Sequence, residues 1–203
     1  MMYFVILFAI IIVWSFTKFL TDLETNKLWW KEFNDNPYNF PFKYKGKTLW
    51  YSRACAVAGF IFAKDEETGE WCILANQRGK GTPDFQGMWN CPCGFLSFNE
   101  RGVTACARES YEECGLEIPE EKLVFLEVND DPIDSNKQHV TLRYYAKLTD
   151  AFTKDMPLKA TGLGEEDEVE ERSWIPMSKI DNYEWAFGHK EIIKSIFERK
   201  ILG

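Results

Sequence analysis

At 203 residues, against a typical domain of roughly 150, the chain has room for one enzyme-sized domain plus an appendage and not for two full domains. Hydrophobic residues at 45% and aromatics at 16% exclude a disordered tail and suffice for a core of normal size. With 24 Lys and Arg against 32 Asp and Glu, the formal charge of -8 argues against a nucleic-acid partner, while small anions bridged by a metal ion stay admissible.

Residues 1–17, MMYFVILFAIIIVWSFT, carry no charge and are apolar except for Ser15 and Thr17. As a helix this run covers roughly 26 Å against a hydrocarbon core of about 30 Å, and Phe19 and Leu20 extend it. Its apolar residues occupy every face, unlike an ordinary surface helix. A signal peptide would want positive charge before the run and small residues after it, where bulky Phe16, Phe19 and Leu20 stand. Residues 1–20 are therefore read as a single-pass transmembrane anchor, the alternatives being a cleaved signal peptide and a core or partner-facing helix. Lys18, Lys27 and Lys31 follow the run, which by the positive-inside rule turns the C-terminal domain to the cytoplasm.

Residues 21–46 read as a connector, with Trp29 and Trp30 among charges and then NDNPYNFPFKYKG, rich in turn formers. The globular domain is expected over residues 47–203. Ala54 to Ala63 is continuously apolar and rich in β-formers, as in a buried strand, and Glu70 to Asn76 reads as its hairpin partner. Gln77 to Gly94 is loop-rich. Val103 to Cys114 reads as a helix stopped by Gly115. Further strands are expected at Leu123 to Val128, Val140 to Leu148 and Arg172 to Ile175, and a closing amphipathic helix at His189 to Arg199. Strands interleaved with helices give an α/β sandwich. The six cysteines sit mostly in apolar runs, as reduced, buried thiols do; Cys91 and Cys93 with His139 and His189 are spaced poorly for structural zinc.

In the central helix Glu109, Glu112 and Glu113 stand at i, i+3 and i+4 and share one face, with Val103, Ala107, Tyr111 and Cys114 opposite and free to pack inward. Three like charges at this spacing repel unless a cation intervenes, and Mg²⁺ takes oxygen ligands of this kind. On spacing alone the cluster reads equally as a solvated acidic face. Arg108, four residues before Glu112, can pair with it or its neighbours.

The stretch GFLSFNERGVTACARESYEECGL resembles the signature of the Nudix hydrolases. Gly94 is followed by five residues and Glu100, then seven residues and Arg108 and Glu109, then Glu112, Glu113, Gly115 and Leu116. Ser110 departs from the usual aliphatic residue, and Cys93 from a common second glycine. Arg78 at a strand end, Trp89 to Pro92 and the late Trp174 to Pro176 extend the similarity over about residues 50 to 200.

This resemblance implies a Nudix-type α/β/α sandwich with a mixed sheet between helices, here following the N-terminal anchor. It implies hydrolysis of a nucleoside diphosphate linked to another group: a nucleotide sugar, a dinucleotide or a noncanonical nucleotide. Carried over, Glu109, Glu112, Glu113 and the Gly94 carbonyl bind Mg²⁺ or Mn²⁺, and Arg108 and Glu100 orient loop and helix. The general base comes from the helix or from the late run GEEDEVEE, with Glu165, Glu166 and Glu168 as candidates beside Glu170 and Glu171. Arg78 and Lys80 are candidates for phosphate contact; Trp89, Phe85 and Trp50 for stacking on a base or for packing. His189 resembles a position near the closing helix of some members. A nucleotide sensor without catalysis and a membrane-tethered scaffold are the rival readings.

Overall fold

The computed structural model describes residues 40–44, 47–51, 55–97, 99–131, 140–148, 158, 167–199 and 201–202. The expected anchor over 1–20, His139, Glu165 and Glu166 lie outside them. Among the described residues no helix is long and apolar enough to cross a membrane.

Two aromatic-rich segments, β1 (Phe40–Tyr44) and β2 (Lys47–Tyr51), pair antiparallel with Phe40 opposite Tyr51. Every second residue of β1 is Phe or Tyr, which favours extended backbone, so a strand forms within the segment read as a connector. This hairpin belongs to the smaller of two compact units, and the elements from β3 onward to the larger.

In the larger unit the chain runs β3 (Cys55–Lys64), β4 (Trp71–Arg78), β5 (Trp89–Asn90), β6 (Cys93–Phe95), α1 (Gly102–Cys114), β7 (Val124–Asn129), β8 (Val140–Lys147), β9 (Val169–Pro176) and α2 (His189–Glu198). Each element expected from residue 54 onward is present, with ends shifted by a few residues. β3 is the centre of a mixed sheet. One edge pairs parallel with β8 without interruption, from Cys55 opposite Val140 to Phe62 opposite Lys147, and β7 closes that side. The other edge is divided: Phe62–Lys64 pair with β4, and Ala56–Ala58 pair with β6. β4 continues instead against β5 and β9. The sheet is therefore open between β3 and β4 where β5 and β6 fill in.

Side chains alternate across this sheet, as the two-residue period of a strand requires. Ala58, Phe60 and Phe62 of β3, with Ile73 and Ala75 of β4, face Ile193 and Ile196 of α2. Val57, Ile61 and Leu74 face the other way, toward Ala105, Cys106 and Cys114 of α1. The helices thus cover opposite faces, which makes the α/β/α sandwich. Gly59 lies on the α1 face; a Cβ there would stand 2.8 Å from Cys106 Sγ, so the missing side chain sets how closely the helix approaches. α1 stops at Gly115 with φ of 71°, and the N–H groups of Gly115 and Leu116 donate to the Tyr111 and Ser110 carbonyls.

Candidate active site

α1 is rotated relative to its expected setting. Its buried residues are Ala105, Cys106, Glu109, Ser110 and Cys114, while Val103, Ala107 and Tyr111 stay partly exposed. The carboxylate face therefore leans onto the sheet instead of lying opposite it, and the solvated-face reading fails at Glu109, which is only 9% exposed. The reason is that the open sheet supplies donors. Glu113 Oε2 accepts from Asn76 Nδ2 at 2.7 Å and from the Cys93 N–H at 3.0 Å, one from β4 and one from β6. Arg172 of β9, opposite Asn76 in register, donates from Nε to the Glu113 main-chain carbonyl. A cation at the last turn of a helix also meets the negative end of its dipole.

The other carboxylates share Arg108. Its Nη1 donates to Glu109 Oε1 and Glu112 Oε2, both at 2.7 Å, its Nε to Glu100 Oε1 at 2.9 Å, and its Nη2 to Glu100 Oε2 and the Phe95 carbonyl. Glu100 Oε2 in turn accepts from the Ser97 N–H, so one guanidinium ties the loop before α1 to the helix.

Burial sets the electrostatics of these carboxylates. Burial, with the Glu109 charge second, pushes Glu113 up to about 8 despite the bonds from Asn76 and Cys93. Burial likewise raises Glu109, partly offset by Arg108. Two carboxylates held together where neither is well solvated favour a positive partner. Gly94 lies against the same group: a Cβ there would meet the Glu109 carboxylate, so a side chain at this position would require Glu109 to move. The donors are all oxygens, which suits Mg²⁺ or Mn²⁺. Among the described residues no three His, Cys, Asp or Glu side chains are grouped so that they could hold a metal ion as they stand. Arg108 holds Glu109 and Glu112, and a divalent ion must share them with it.

The two departures from the signature are accommodated locally. Ser110 is fully buried, and its Oγ donates to the Cys106 carbonyl at 2.8 Å, so no hydroxyl is stranded. Cys93 has no left-handed backbone and does not need to be glycine. All six cysteines are free, and no cluster of the zinc type is present among the described residues.

Arg78 is committed to its own loop: Nε and Nη2 donate to the Asp84 carbonyl and carboxylate at 3.0 and 2.8 Å. Trp89 is buried against Tyr183 and belongs to the core, so it is not a stacking surface. Trp50 falls on β2, in the separate hairpin. His189 begins α2, and its Nδ1 accepts from the Cys91 N–H at 3.0 Å. Of the late acidic run, the Asp167 and Glu168 carbonyls accept from the Gly81 and Gly79 N–H groups, which ties this segment to the end of β4. Asn76 and Arg172 were not singled out in the sequence. An asparagine ending the apolar run EWCILAN was a usable signal; Arg172 had none, because its partner is 59 residues away.

A sequence model of the NUDIX domain matches residues 52–196. The chain belongs to the Nudix family. Solved structures agree on this fold at low identity. The NUDIX domain of Shewanella oneidensis NrtR, solved with ADP ribose, superposes with a TM-score of 0.60 at 20% identity, over 78% of this chain and 93% of that one. A MutT/nudix family protein from Enterococcus faecalis gives 0.61 at 23%, over 87% and 69%. A bifunctional NMN adenylyltransferase/ADP ribose pyrophosphatase from Francisella tularensis, complexed with AMP and a manganese ion, gives 0.60 at 21%, over 87% of this chain but 46% of its own length. No curated protein matches the sequence. In this Nudix domain the signature forms the loop after β6, α1 and its glycine stop, and it sits over the opening between β3 and β4.

Proposed function

We propose that this Nudix domain is a metal-dependent hydrolase that cleaves the diphosphate linkage of a nucleoside diphosphate joined to another group. The observation that carries this reading is Glu113, a carboxylate drawn into the opening of the sheet by Asn76 and Cys93 and raised by burial beside Glu109. Glu109, Glu112, Glu113 and the Gly94 carbonyl would hold Mg²⁺ or Mn²⁺, which supplies neutralisation of diphosphate oxygens and a lowered pKa for water. Arg108 keeps the carboxylates facing one another, and Asn76 and Arg172 fix the end of α1. The base is one of the helical glutamates or one of Glu165, Glu166 and Glu168.

The test is a panel of nucleotide sugars, dinucleotides and noncanonical triphosphates incubated with the full-length protein in Mg²⁺, in Mn²⁺ and in chelator. Release of monophosphate or pyrophosphate from at least one compound, abolished by chelator, is expected. Tight nucleotide binding with no turnover would instead make the domain a sensor.

Residues 1–20 are proposed to anchor the enzyme in a bilayer, with the catalytic domain on the cytoplasmic side, on the strength of the charge-free run and the lysines that follow it. Full-length protein should stay with membranes through alkaline carbonate extraction, and its domain should resist protease in intact cells. Release by carbonate refutes the anchor; cleavage from outside refutes the orientation.

A further inference from the structure

The loop between β4 and β5 carries an aromatic residue that packing does not account for. Phe85 is 39% exposed, and it meets Phe187 edge to face with centroids 4.9 Å apart. Arg78 lies 4.8 Å over the Phe187 ring, and His189 stands against it at 5.6 Å. Phe85 and Phe187 have φ of 52° and 57°, and they are two of only three non-glycine residues with left-handed backbone among the described residues. For a bulky side chain that conformation is costly, and it persists only where the surroundings impose it.

Here they do impose it. Gln86 Nε2 donates to the Lys80 and Thr82 carbonyls, Thr82 Oγ1 to the Gly79 carbonyl, Gln77 Nε2 to the Gly87 carbonyl, and Arg78 clamps Asp84. A loop braced at so many points holds the Phe85 ring partly in solvent instead of folding it into the core. The ring pair is linked to the carboxylates through β4. Asn76, which holds Glu113, lies two residues before Arg78 on β4, about 7 Å along an extended chain. The Arg78 charge reaches both Glu113 and Cys93. From the other direction, Cys91 next to the β6 loop donates to His189, which touches Phe187.

We infer that Phe85, backed by Phe187 and Arg78, is a stacking platform for the nucleobase of the ligand whose phosphates face Glu109 and Glu113. A flat apolar face serves any base, since each presents a π-surface, and it sets the ligand class as base-bearing without choosing among bases. Arg78 then acts as a positioning residue: it fixes the loop through Asp84 and the second ring through its cation–π contact.

The inference rests on the hydrolase reading for the phosphate end of the ligand only. Its test is binding of AMP and of ribose 5-phosphate, measured by calorimetry in Mg²⁺ on the full-length protein and on Phe85→Ala, Phe85→Tyr and Phe85→Trp. Phe85→Ala should weaken AMP about tenfold, leave ribose 5-phosphate unchanged, and keep its melting temperature; Tyr and Trp should restore AMP binding. Equal loss for both ligands, unchanged AMP binding by Phe85→Ala, or no AMP binding by the parent protein would overturn the platform. Phe85-dependent AMP binding with no turnover of any diphosphate overturns the hydrolase and leaves the platform standing. Turnover of a diphosphate with AMP binding indifferent to Phe85 does the reverse.

Discussion

The two helices cover opposite faces of one sheet and bury different chemistry. α2 turns Ile193 and Ile196 inward, and its Lys194 pairs with Asp181 at the surface, the ordinary arrangement of an amphipathic helix. α1 turns inward Cys106, Ser110 and Cys114, small side chains, together with Glu109 and, toward the strands, Glu113. Each isoleucine fully buried on α2 contributes about 1.5–3 kcal/mol. The carboxylates on α1 lose hydration and recover only part of it from Arg108, Asn76 and a backbone N–H. The difference teaches a division of labour: one face of the sheet is packed for stability, and the other also holds half-buried charges, which on the proposed function a cation would join.

The sharpest way to break this comparison is at Glu113. Glu113→Gln should lower kcat at saturating Mg²⁺ at least about a hundredfold, since an amide is a poor replacement for a charged oxygen ligand. The same substitution should leave metal-free thermal stability unchanged or raised, because it removes a carboxylate that burial disfavours. Near-normal turnover would remove Glu113 from the metal set. The opposite pattern is expected on α2: Ile193→Ala should cost about 2–5 kcal/mol in denaturant unfolding, through lost burial and a cavity, with kcat retained at temperatures where the protein stays folded. If Ile193→Ala instead changed kcat with little loss of stability, the two faces would not be separable.

Arg108 allows a finer test. Arg108→Gln withdraws the shared donor of Glu100, Glu109 and Glu112, and it should destabilise the metal-free protein by about 1.5–3 kcal/mol. Added Mg²⁺ should recover much of that loss, because the ion neutralises the same carboxylates. A melting temperature that ignores Mg²⁺ in both parent and variant would count against a cation at this face.

What was legible in the sequence follows the range of the interactions. β3, β4 and α1 could be read because an unbroken apolar run, a hairpin partner and a glycine stop are local signals. The Arg108 and Glu112 pair was legible through its i, i+4 spacing. The rotation of α1 was not, because it depends on Asn76 and the Cys93 N–H, which strands bring in from 37 and 20 residues away. Helical periodicity alone assigns charges to the solvent side. Phe85 and Phe187 show the same limit: two aromatics 102 positions apart by their numbers meet only when the segment around Trp185 lies along β5 at Trp89, and nothing local announces their backbone.

An effect seen only as a slope in pH is expected on the packed side, at a buried histidine. His189 is 4% exposed, begins α2, and touches Phe60 edge-on while its Nδ1 accepts from the Cys91 N–H. Accepting that bond requires a neutral ring. Burial lowers its pKa from 6.5 to about 3, with the Arg143 and Arg78 charges acting in the same sense. The unfolded chain takes up the proton near pH 6.5 and the folded protein does not, so this contribution to stability is complete above pH 6.5 and is lost as pH falls toward 3. Unfolding free energy should therefore drop by up to about 1.4 kcal/mol per pH unit from this residue between pH 6 and 4. His189→Gln keeps an acceptor for Cys91 and cannot titrate. It should start lower in stability through imperfect packing, yet show a shallower acid slope than the parent in denaturant titrations from pH 7 to 4. Equal slopes in the two proteins would mean that His189 charges without leaving its place, and that the α2 face tolerates a buried cation as the α1 face tolerates its carboxylates.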